Sequence, residues 1–131
     1  MVLSALIGGR ARLVFESDRG PRCLSPVAVA EEVAEHLPAL AAKAKIDHDV
    51  ALLALRAMPV DWQQPDLYEP CREEALQRVG QRDPDDWPVV ALALALNLPV
   101  WSQDKDLEET GLRVYTTGEL LDVLRRQADR D

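Results

Sequence analysis

An α/β domain with a short parallel sheet is the fold class this sequence predicts, and three observations carry the expectation. Helical patterns alternate with short apolar, partly β-branched runs; the runs "LPVWS" and "LRVYT" have turn signals on both sides; and no internal repeat or low-complexity tract breaks the alternation. Strands that are buried on both faces read as short continuous apolar runs of this kind, which favours parallel pairing.

The elements follow in order. "VLSALIGGRARLVFES" gives a short lead-in, a Gly8-Gly9 joint and a helix carrying Ala11, Leu13, Val14 and Phe15. "SDRGPR" is a loop, and "CLSP" a short strand ending at Ser25-Pro26. From Pro26 to about Lys45 a helix places Val29, Val33, His36, Leu37 and Leu40 along one face, with Glu31, Glu32 and Glu35 near its border and a kink expected at Pro38. "IDHDVALLALRAMPV" opens on an Asp able to cap and forms a helix ending before Pro59. A strand fragment near Met58 to Val60 then runs into a proline-rich loop, and "YEPCREEALQRVG" is a short helix stopped by Gly80. Thr116 and Glu119 stand in capping-box spacing before a last amphipathic helix, and residues 125–131 read as a frayed tail of the single domain 1–131.

Bulk properties exclude several classes. The 131 residues, 47% hydrophobic and 29% charged, suit one domain with a real core. The longest apolar stretches fall far short of the roughly 20 residues that cross a membrane, and no basic leader precedes an apolar segment, so a cytoplasmic protein is expected. Cys23 and Cys71 follow no metal-ligand spacing and read as free thiols. A net charge of −8 argues against a general basic surface for nucleic acid, although cations held by some of the acids would lessen the repulsion a phosphate meets.

The stretch "RDPDDWPVVALALALNLPVWSQDKD" brackets an apolar run with carboxylates. Asp86 opens a helix with Pro88 in its first turn, running to about Asn97 over about 15 Å. The chain turns at "NLP" and returns as "VWS", about 13 Å of strand. Asp86 and Asp104, 18 positions apart, therefore come back to the same sheet edge, where open α/β sheets bind ligands. Carboxylates gathered there repel unless protonated, hydrated or bridged, and all-oxygen donors suit Mg²⁺ or Mn²⁺. Helix capping by Asp85 or Asp86, and turn closure by Asp104, account for the same residues without a metal.

"RDPDDWPVVALALALNLPVWSQDKDLEETGLRVYTTGELL" resembles the C-terminal half of a PIN domain, a nuclease fold shared by many toxins of toxin–antitoxin pairs, through Asp86, Ala91, Ala93, Ser102, Asp104 and Asp106. "LSPVAVAEEVAEH" resembles the segment whose helix adds a Glu to the site, and the match favours Glu32, with Glu31 and Glu35 as neighbours. The resemblance implies a three-layer αβα sandwich and metal-dependent hydrolysis of RNA. It also implies that Glu32, Asp86, Asp104 and Asp106 hold one or two Mg²⁺ or Mn²⁺, with catalytic roles for the first three. Ser102 would support a ligand or water from behind, and Arg10 and Arg12 would contact RNA phosphate. His36 and His48 are bystanders, and Trp62, Trp87 and Trp101 packing or interface residues.

"VLSALIGG" resembles the segment just after the family's first strand, so that strand and its Asp are expected before Met1. A start assigned too far downstream and a shortened protein with an incomplete site both stay open. The family further implies a homodimer and an antitoxin-type partner; a catalytically incomplete PIN-like module acting in dimerisation or protein binding is the alternative. A receiver-type phosphoacceptor domain also clusters aspartates, but Lys105 between two of them does not fit that layout.

Overall fold

The computed structural model describes residues 10–17, 20–80 and 83–130. In chain order the elements are α1 (Ala11–Glu16), β1 (Cys23–Pro26), α2 (Val27–Ala44), α3 (His48–Ala57), β2 (Val60–Gln63), α4 (Pro65–Tyr68), α5 (Arg72–Val79), α6 (Trp87–Leu96), β3 (Val100–Trp101), β4 (Val114–Tyr115) and α7 (Thr117–Arg130). Turns of 3-10 helix occupy Glu69–Cys71, Pro84–Asp86 and Lys105–Thr110. The fold is α/β and rich in helix, as the alternation predicts. The lead-in read at residues 2–9 lies outside the described residues. Contacts divide the chain into two compact units, Met1–Trp62 and Gln63–Asp131.

In the first unit α2 packs on α3. Val33 and Leu37, one turn apart on α2, meet Leu55 of α3 in a buried cluster that Val29, Leu52, Met58 and Trp62 partly cover. The stripe on α2 is narrower than its sequence suggested: Ala41 completes it, while His36 is exposed. A ridge of positions i, i+4 and i+8 is enough to meet one neighbouring helix, so His36 falls outside it. The helix runs continuously through the exposed Pro38. Lys45 ends it in the left-handed region at φ 59°, where the Ile46 N–H donates to Ala41 O at 2.8 Å, a Schellman-type closure. Asp47 caps α3, its carboxylate accepting from the Asp49 and Val50 N–H groups. β1 and β2 form a two-stranded sheet. β2 begins two residues later than expected, because Met58 still closes α3 by donating to Leu55 O.

The second unit is organised around α6. "WPVVALALAL" has no polar face, the mark of a helix surrounded by protein, and Pro88, Val90, Ala91, Leu92 and Ala93 are buried. Around it lie α4, α5 and the turn at Glu69–Cys71. Ala75 and Ala91 are fully buried, and such small side chains allow close helix approach. The segment read as a proline-rich loop is helical instead, since Pro65 and Pro70 occupy first-turn positions where a missing N–H costs nothing. Asn97 ends α6 at φ 54° and turns the chain into β3. β3 and β4 run parallel, Val100 opposite Val114 and Trp101 opposite Tyr115. The single sheet expected is present among the described residues as two two-stranded pieces, its strands being only two to four residues long. α7 continues to Arg130 through the segment expected to fray.

Candidate metal centre

Two prolines set the approach to α6. Pro84 starts a 3-10 turn in which the Asp86 N–H donates to Asp83 O at 3.0 Å, and Pro88 sits in the first turn of the helix. That turn places Asp83 and Asp86 three residues apart on one side. Asp86 is the N-cap residue of α6, yet its side chain makes no capping hydrogen bond, so the simple capping reading does not account for it.

Asp104 arrives from the other end of the apolar run. β3 is anchored to β4 by Val100 N–H donating to Arg113 O at 2.8 Å and Ser102 N–H donating to Tyr115 O at 3.0 Å. Beyond the ladder, Ser102 Oγ accepts from the Asp104 N–H at 3.0 Å, and Asp104 Oδ1 accepts from the Asp106 N–H at 3.0 Å. Ser102 thus holds the backbone of Asp104.

One carboxylate oxygen each from Asp83, Asp86 and Asp104 lie within 4.8 Å of one another. Two unit charges at about 5 Å repel by roughly 1 kcal/mol in water, and more where the surroundings are less polar. Asp86 and Asp104 are half-buried and Asp83 is exposed, which leaves the group open to solvent on one side. The donors are all carboxylate oxygens, with no His or Cys among them, and this hard set fits a divalent cation of the Mg²⁺ or Mn²⁺ type.

The other predicted residues have definite places. Asp106 lies outside the trio and is exposed, contributing its N–H to Asp104. Glu32 stands on α2 in the first unit, exposed and directly before buried Val33; Glu31 and Glu35 are exposed on the same helix. Arg10 precedes α1 and is exposed. Arg12 pairs with Glu16 at 3.1 Å, one turn along α1 and largely in solvent. His48 is half-exposed beside Asp49.

Asp83 is the acid of the trio that the sequence did not single out, because its place depends on the 3-10 turn ahead of α6. A second feature left no local signal at all. Trp101 Nε1–H donates to Thr117 Oγ1 at 3.0 Å, Gln103 Oε1 accepts from the Thr117 N–H at 2.8 Å, and the Lys105 ammonium reaches Glu119 Oε1 at 2.7 Å. Lys105 also donates to Glu108 Oε1 and to Val114 O, each at 2.8 Å. Hydrogen bonds to Glu108 and Glu119 hold its ammonium above the usual lysine range. The Lys105 hydrogen bond, with help from the Thr116 N–H, brings the Glu119 carboxyl down to about 2. Thr116 and Glu119 complete the expected capping box, Thr116 N–H to Glu119 Oε1 at 2.9 Å and Glu119 N–H to Thr116 Oγ1 at 3.2 Å.

Aromatic residues support the framework. Trp87 follows Asp86 and lies against Tyr68, ring centroids 5.9 Å apart, with the Arg72 guanidinium 5.0 Å from its ring. Trp62 belongs to the first unit's core margin. That unit also has a cleft of about 480 Å³ beside the 2.5 Å Arg22–Asp61 ion pair, lined in part by Val14, Phe15, Met58 and Val60. Its charges are matched there. Cys23 and Cys71 are free thiols, and burial pushes the Cys23 thiol up, away from the reactive thiolate.

A family model described as PIN domain matches residues 1–125 of the chain. Neither a curated protein nor a solved structure matches it. No helix among the described residues is long and apolar enough to cross a membrane.

Proposed function

Because the chain belongs to the PIN domain family, a nuclease-type fold whose members generally depend on divalent metal, we propose that it is a Mg²⁺- or Mn²⁺-dependent endoribonuclease and the toxin component of a toxin–antitoxin pair. The carrying observation is the convergence of Asp83, Asp86 and Asp104 within 4.8 Å, inside the matched residues. These three carboxylates hold the cation, with Glu32 and Asp106 as further acids of the same chemistry. A divalent cation in such a set supplies charge neutralisation and Lewis acidity toward a phosphodiester. The chain's own residues do the rest: Asp86 and Asp104 fix the position of the charge, and Ser102 holds the backbone that carries Asp104.

The net charge of −8 supports a division of labour in which RNA phosphate is drawn to this one neutralised point and not to a basic surface. Arg10 is a phosphate contact in this reading, while Arg12 serves α1 through Glu16. The setting is cytoplasmic, with a homodimer and an antitoxin as partners.

One observation favours the alternative, a catalytically incomplete PIN-like module acting in dimerisation or protein binding. Val50 and Leu53, three residues apart on α3, are 56% and 64% exposed. Single-stranded RNA incubated with purified protein and Mn²⁺ separates the readings. Cleavage that falls at least about 100-fold in Asp86→Asn supports the nuclease. Equal cleavage by both proteins points to a contaminant and removes the proposed site, and no cleavage by either favours the binding module.

A further inference from the structure

Between Trp101 and Lys105, where β3 ends and the chain bends into the 3-10 turn at Lys105–Thr110, alternate residues bond to α7. Trp101, Gln103 and Lys105 reach the first turn of α7, at Thr117 Oγ1, the Thr117 N–H and Glu119 Oε1. Between them Ser102 holds the Asp104 N–H, and Asp104 joins the acidic trio. Three bonds from one short segment to one helical turn add to the strand ladder, which is short because β3 is only two residues long. Thr117 is 4% exposed, so its hydroxyl and N–H find their partners inside the protein, and the N–H is one of the four that a helix start leaves without an internal acceptor. The loop bearing Asp104 is therefore tied to the first turn of α7 on both sides of Asp104 in sequence.

We propose that Gln103 and Thr117 are positioning residues for the cation site, the first turn of α7 acting as a brace that holds Asp104 within reach of Asp83 and Asp86. This rests on the cation reading given above. Neither residue belongs to the trio; Thr117 acts through Trp101 and Gln103, and Gln103 through the Thr117 N–H, on the segment that carries Asp104. Glu119 and Lys105 belong to the same brace, but altering them changes local charge, which by itself shifts cation affinity. Gln103 and Thr117 are the clean probes because their substitution leaves the charge unchanged.

Mn²⁺ affinity, measured by isothermal titration calorimetry on the full chain, and the melting temperature of the metal-free protein are followed together. Gln103→Ala and Thr117→Val each weaken Mn²⁺ binding about tenfold, the lower end of what supporting residues of metal sites cost, and Thr117→Ser restores it by keeping the hydroxyl. Asp47→Ala, which removes the cap of α3 in the first unit, lowers the melting temperature and leaves Mn²⁺ affinity unchanged. If Gln103→Ala does not fold, the Thr117→Val and Thr117→Ser pair decides. Wild-type affinity in Gln103→Ala and Thr117→Val overturns the brace while leaving the cation site standing. Absence of Mn²⁺ binding by the wild type overturns both.

Discussion

Asp83 and Asp106 are the residues on which the geometry makes its sharpest distinction. Both flank the apolar run, but only Asp83 brings a carboxylate oxygen within 4.8 Å of Asp86 and Asp104. Asp83→Asn should therefore weaken Mn²⁺ binding by roughly 10-fold or more, and Asp106→Asn by clearly less, as read by calorimetry. Glu119 supplies a pH-dependent counterpart. Its folded-state value, about 2, lies below the usual 4.5, so its contribution to stability is present above about 4.5 and is lost as pH falls toward 2. Urea midpoints for Glu119→Gln should depend less on pH across that window than those of the wild type; identical slopes would remove the role assigned to the Lys105 bond. Asp86 and Asp104 were legible from the sequence because a helix followed by a returning strand brings its two ends together. Asp83 was not, because its place depends on a 3-10 turn that a reading of the α-helix starts too late to see. Gln103 and Thr117 were illegible for a different reason: they meet across 14 positions, through space.

Among the elements, those with chemical punctuation were readable. Asp47 before α3, Gly80 after α5 and the Thr116/Glu119 box all stand where their caps were expected. Removing the Asp47 cap by Asp47→Ala should cost about 1 kcal/mol in chemical denaturation. Gly111 is a stricter case: it follows the turn at Lys105–Thr110 with φ at 85°, and an added Cβ would stand 3.1 Å from Arg78 Nη1. That nitrogen donates to Thr110 O at 2.7 Å and ties α5 to the crossover between β3 and β4. Gly111→Ala should destabilise the protein by about 1 kcal/mol or more, visible as a lower urea midpoint. Prolines were where the sequence misled. Pro65 and Pro70 look like breakers, yet both begin helical turns, and their role depends on where the neighbouring chain packs.

Taken whole, the molecule is a PIN domain whose excess negative charge is concentrated, in part, at three converging carboxylates. The fold class was legible because alternation and period survive any detail of packing. The division into two units and the splitting of the sheet were not, since they are decided by contacts between residues far apart in the chain. A cation that binds the folded state alone must stabilise it: Mn²⁺ at 100 times its dissociation constant should add about 2.7 kcal/mol to unfolding, reversed by chelation. Binding itself is the most direct test. Mn²⁺ titrated into the protein and followed by the electron paramagnetic resonance of the free ion should show a bound fraction in the wild type that falls steeply in both Asp86→Asn and Asp104→Asn. Equal binding by all three proteins, or none by the wild type, would contradict the site.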